Sequence, residues 1–189
     1  MGRAVALLTA LSVSAGSPAS PQLSDADFRQ LMQSAVTISG QASQVQPTTT
    51  TICVQRELEP ALEFLKHQGP SHLPIGIAAA DQALNEAMSP MATVARQTSM
   101  PPLRGKFILI PKANRPRNCV VDRIPLPGQP PPKDSVVVLN FTRPAFASSY
   151  AFLEEYEDCP GLCGTTFLRV FRKQHGKWRQ LSRIILAVS

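Results

Sequence analysis

Cys159-Pro160-Gly161-Leu162-Cys163-Gly164 stands between two runs of strand-forming residues, and it limits the fold more tightly than any other stretch of the chain. Two cysteines four positions apart around a Pro-Gly pair are placed to close the tip of a β-hairpin as a disulfide. Such a bond persists in an oxidising compartment. The start of the chain supplies a matching address. Met1-Gly2-Arg3 is a short positive segment, residues 4–15 are apolar and uncharged, and Gly16-Ser17-Pro18-Ala19-Ser20 are small. That layout predicts a secretory signal peptide over residues 1–19, cut after Ala15 or Ala19. Its apolar core is too short to span a bilayer, and no later run is long enough. The expectation is therefore a mature chain with no membrane span, exported to the periplasm or beyond.

Residues 20–189 are expected to form a single domain. The hydrophobic content of 43% suffices for a core, and 18 prolines against 10 glycines predict long irregular connections. The formal net charge of +6 permits contact with nucleic acid, anionic lipid or an acidic polysaccharide. The charges form no binding stripe, so nucleic acid is not the expected partner; another protein or a cell-envelope component is.

Four cysteines allow three pairings. We expect Cys159–Cys163 at the hairpin tip and Cys53–Cys119 as the long bridge. In the chain-entropy model the short loop gains about 2 kcal/mol and the long one about 4 kcal/mol. A redox-active dithiol needs a device such as a helix N-terminus to lower a thiol pKa, and residues 159–163 sit between strands instead.

Along the chain, Ser24 is an N-cap candidate, followed by Asp25 and Asp27 in the first turn of a helix. Phe28, Leu31, Met32, Ala35 and Val36 recur at helical spacing and predict its buried stripe, with Gly40 as the stop. Residues 48–54 read as a strand carrying Cys53. Residues 57–66 read as a short helix with Pro60 in its first turn, and 77–88 as another, with a further short turn out to about residue 97. Residues 107–110 are a compact apolar strand. Residues 111–132 hold seven prolines and predict an extended surface loop pinned by Cys119.

The last third predicts strands at 136–141, 150–157, 166–172 and 178–188. Gln174-His175-Gly176-Lys177 turns the third into the fourth, with Gly176 free to take positive φ. Glu154, Glu155, Glu157 and Asp158 on the second strand face a segment, 165–189, with six basic residues and no acid. Opposite charges on neighbouring strands favour that pairing. The fold class expected is α+β: a C-terminal antiparallel meander of about four to five strands, one side packed against N-terminal helices, stapled by two disulfides.

The block Phe141-Thr142-Arg143-Pro144-Ala145-Phe146, then Tyr150-Ala151-Phe152, then Cys159-Pro160-Gly161-Leu162-Cys163-Gly164, then His175-Gly176-Lys177-Trp178 resembles the C-terminal signature of a group of bacterial exported proteins of unknown function. Their shared pattern is F-S-R-x-x-F … C-G-x-x-C-G … G-x-W. The resemblance covers residues 136–189. It departs in placing Thr142 where Ser is usual, Pro160 and Leu162 within the turn, and Ala187-Val188-Ser189 where Trp-Ile-Ser is common. It implies an exported α+β domain and no particular reaction.

Candidate chemistry is sparse. His67, His72 and His175 show no metal-ligand spacing, and no nucleophile elbow, zinc-protease or phosphate-loop motif occurs. No metal or cofactor is expected. Glu155 and Glu157 share a strand face and are the residues a hydrolase would use, while Cys159/Cys163 would serve a thiol-redox enzyme. The candidate binding residues are Arg143, Trp178, Arg172 and Lys173, with Arg169, Arg172, Lys173 and Lys177 as a basic surface. Asn140-Phe141-Thr142 matches a glycosylation sequon but falls in a predicted strand of a chain with a bacterial-type leader. The reading that results is an exported, non-enzymatic binding or cell-envelope accessory domain; the alternative is a secreted hydrolase or thiol-redox enzyme.

Overall fold

Strand residues from the first and last thirds of the chain meet in one sheet. A computed structural model describes residues 23–42, 49–68, 75–119, 134–158 and 164–188. Its helices are α1 (Asp25–Ala42), α2 (Glu63–Gln68) and α3 (Ala78–Met88). Its strands are β1 (Thr49–Gln55), β2 (Thr93–Val94), β3 (Phe107–Ile110), β4 (Asp134–Phe141), β5 (Ala145–Ala147), β6 (Tyr150–Asp158), β7 (Thr165–Gln174) and β8 (Lys177–Val188).

The C-terminal meander is present as β6, β7 and β8, antiparallel in register. The hairpin between the last two turns on His175 and Gly176, both at positive φ (49° and 74°), the mirror-image turn that matches strand twist. The predicted architecture needs correction in two respects. The sheet is mixed: β1 runs parallel to both β3 and β4, so eight strands join rather than four or five. Helices also cover both faces rather than one. Alternation along β6 and β7 explains this, because Ala151, Leu153 and Phe171 point toward α1 while Phe152, Leu168 and Val170 point toward α2 and α3.

The first helix follows its sequence signals closely. The Asp27 N–H donates to Ser24 Oγ at 3.1 Å, and Phe28, Leu31, Met32, Ala35 and Val36 are all buried. Gly40 does not stop it. A Cβ there would lie 2.9 Å from Ile52 Cδ1, so the missing side chain admits β1 and β3 against the last turn. The same helix packs along β8 at the opposite sheet edge, which requires the sheet to curl around it.

Two helix predictions also need trimming. Residues 57–62 are not helical; Glu57 and Glu59 form bridges to Ser99 and Thr142, and the helix begins only at Glu63. The predicted turn out to residue 97 contains β2, paired with β5. Sheet hydrogen bonding captures both segments from the helical option that their spacing offered.

Between β4 and β5 the chain breaks pairing at Pro144, which has no N–H to give. Beside the break the Glu154 N–H donates to Thr142 Oγ1 at 2.8 Å, and the Thr142 N–H donates to Glu154 O at 3.0 Å. One edge of β6 is thereby shared by β5 and β4 in succession. Cys53 and Cys119 are bonded as expected, and they are buried with Ile110 and Val138 beneath a single 3₁₀ turn, Arg117–Cys119. The Cys159–Cys163 expectation lies outside the described residues, as do most of the proline-rich loop and the leader. No helix among the described residues is long and apolar enough to cross a membrane.

Candidate functional site

The carboxylates that sequence reasoning singled out are committed to the interior. Glu155 and Arg169 are ion-paired with both side chains fully buried. Arg183 reaches Glu155 at 3.1 Å and Glu157 at 2.8 Å, and its guanidinium carbon lies 3.4 Å from the Phe167 ring centroid. Arg169 also donates to Gln180 Oε1 at 2.6 Å and to Ser39 Oγ at 2.5 Å, tying β7 to β8 and α1. Glu155 and Glu157 do share a face, as their spacing required. Their oxygens are occupied by arginines, and Glu155 has no route to a substrate.

Glu154 points to the other face. Its two oxygens accept the Phe64 and Leu65 N–H groups at 3.0 and 2.8 Å, which caps α2 from a neighbouring strand. Tyr156 donates its hydroxyl to the same carboxylate at 3.0 Å. Burial raises the Glu154 pKa above its ordinary value and outweighs these three hydrogen bonds. Burial, and then the Glu154 charge, pushes the Tyr156 hydroxyl well above its usual range. Close by, the Lys112 ammonium holds Glu59 below the ordinary carboxylate value.

The other candidates are dispersed. Trp178 is 7% exposed, packed against Phe146 in the core, so it offers no open stacking platform. Lys173 bridges from the sheet to α1, pairing with Asp27 at 2.8 Å and lowering that acid's pKa by its hydrogen bond. Arg172 lies over the Tyr150 ring. Arg143 is half-buried where β4 gives way to β5, and its backbone N–H donates to Glu59 O at 2.8 Å. Arg169 leaves the predicted basic surface altogether, because none of its side chain meets solvent.

An unpredicted site lies along the first half of α1. The segment 95–104 runs beside the helix, held to the sheet by the Leu58 N–H bond to Thr98 O and the Met100 N–H bond to Arg56 O. Two side chains fasten it to the helix. Gln33 Nε2 donates to Arg104 O at 2.9 Å while the Arg104 N–H donates to Gln33 Oε1 at 2.6 Å. At the other end Gln97 Nε2 donates to Asp25 Oδ1 at 2.7 Å. Met100 is buried under the segment, and Pro101 and Pro102 stiffen it.

Between helix and segment run two depressions, of about 300 Å³ and about 400 Å³. Arg29 lines both. Arg104 flanks the first and Arg96 the second. All three residues are exposed, and among the described residues none of their guanidiniums has an ion-pair or hydrogen-bond partner. A row of unengaged guanidiniums can take carboxylate, sulfate or phosphate oxygens in bidentate pairs. Arg29 is far in sequence from Arg96 and Arg104, and the three carry no motif. The one local hint is that Arg29 falls on the polar side of a strongly amphipathic helix.

Among the described residues no group of acidic, histidine and cysteine side chains is placed to hold a metal ion. The chain matches no family model, no curated protein and no solved structure.

Proposed function

We propose that this chain is an exported, non-enzymatic domain that binds an anionic ligand in the groove between α1 and residues 95–104. The observation that carries the reading is the contrast between two sets of charges. Glu154 and Glu155 are spent on internal bonds, whereas Arg29, Arg96 and Arg104 line the groove with their charge unused. Binding sites are built that way, with polar groups lining a concavity and the scaffold settled beforehand. The leader-like first residues, the buried Cys53–Cys119 bridge and the C-terminal resemblance to exported bacterial proteins all support a place outside the cytoplasm.

Affinity electrophoresis through gels containing an anionic polymer tests the reading. R29E/R96E/R104E should migrate without retardation. R172E/K177E/R179E makes the same change of net charge on β7 and β8 and should be retarded like the parent chain. Equal loss in both variants would mean diffuse attraction without a site, and would end the proposal.

A further inference from the structure

We infer that the ligand of this groove is a linear acidic polysaccharide, bound in extended form across both depressions at once. This deepens the anion-binding reading above and rests on it. The geometry points to a chain rather than a single small anion. Arg29 is common to the two depressions, with Arg96 beyond one and Arg104 beyond the other, so the three charges follow one another along the helix instead of converging on one point. The helix residues that line the groove extend from Asp25 to Gln33, about 12 Å at the usual helical rise. A single carboxylate or sulfate engages one guanidinium well; only a polymer with anionic groups on successive units engages all three.

The lining selects the polymer. Gln30, Gln97, Thr98 and Ser99 offer donors and acceptors between the charges, suited to sugar hydroxyls. Asp25 stands in the same wall, where one oxygen accepts from Gln97 and the other is left as an acceptor for a sugar hydroxyl. The one aromatic residue of the lining, Phe28, is buried in the core, so no base can stack there, whereas single-stranded nucleic acid sites depend on stacking. A concave groove between a helix and a proline-stiffened segment also lacks the exposed apolar residues that insert into a bilayer surface.

Calorimetric titration of the oxidised full-length chain with size-fractionated polygalacturonate, from disaccharide to decasaccharide, tests the inference. Affinity is expected to rise steeply with length and then level once both depressions are filled. R29A should cost about tenfold with the long oligomer, more than R96A or R104A, because it removes a contact from both depressions. If the disaccharide binds as tightly as the decasaccharide, and R29E/R96E/R104E abolishes both, the extended-polymer inference falls while anion binding stands. Should the triple variant bind every oligomer like the parent, both fall. Tighter binding of a single-stranded oligonucleotide, or of vesicles rich in phosphatidylserine, would also overturn the polysaccharide assignment. The three arginines are exposed, and unchanged circular dichroism and melting of the variants check that the fold is intact.

Discussion

Arg169 stands diagonally across from Glu155 on adjacent strands, its own register partner being Leu153, and neither side chain meets solvent. On its other side Arg169 faces Arg183 directly, so two like charges are opposed across β7 and β8. Glu155 reconciles them by bonding both. Removing that carboxylate leaves the buried Arg169 guanidinium without an anionic partner and facing Arg183, which keeps Glu157. E155L should therefore cost about 3–5 kcal/mol of unfolding free energy by urea titration. E155L/R169L should recover much of the loss, since an apolar pair of similar volume carries no desolvation penalty. A double variant no better than the single one would show that the network is held by something other than charge.

The Cys53–Cys119 bond closes a loop with a sequence separation of 66, for which the chain-entropy model gives about 4 kcal/mol. C53A/C119A should lower the urea midpoint accordingly. Because both sulfurs are buried beneath the 3₁₀ turn, mild reductant should leave the native bond intact and cleave it only in urea. Thiol titration with and without denaturant reads this directly.

Glu154 makes stability depend on pH in a stated direction. Its folded pKa is raised above the ordinary value of 4.5, so its contribution is complete below that value and is lost as pH rises through the folded pKa. Measured against E154Q, which does not titrate, the parent chain should lose relative stability on going from mildly acidic toward neutral pH. A difference that grows in the opposite sense would mean that the α2 N–H groups dominate burial.

Gln33 lines the groove and also holds the Arg104 backbone in place. Q33A removes both hydrogen bonds to the Arg104 backbone and leaves every charge in place. Polyanion affinity should fall several-fold, through a faster off-rate and with little change in salt dependence, because the number of guanidiniums is the same. An unaltered affinity would show that the segment is held by its sheet hydrogen bonds alone.

The legible parts of the sequence were those governed by local period. The α1 stripe from Phe28 to Val36, the β6–β8 meander and the turn at His175-Gly176 follow from spacing and glycine chemistry, and the long disulfide from elimination among four cysteines. Arg169 also left a trace. It occupies the same strand face as Phe167 and Phe171, and an arginine inside an apolar alternation needs a buried partner. The parallel pairing of β1 with β3 and β4 left none, since nothing in residues 49–55 specifies which distant strand will lie beside them. The arginine groove was equally silent. Arg29 comes to share a groove with Arg96 and Arg104 only when residues 95–104 lie against α1, a contact that no sequence period encodes.

The insertion of β1 between β3 and β4 has a consequence for the order of assembly. Thr49 pairs with Asp134, so a chain synthesised or threaded from its amino end must hold β1 open until the middle of the molecule has passed. Until then Ile52 and Val54 have no cover on one edge, and the only partner within reach is β3. Non-local closure of this kind is slow and leaves an aggregation-prone edge exposed. A nascent form of this protein should thus depend on a holding chaperone until its final third arrives.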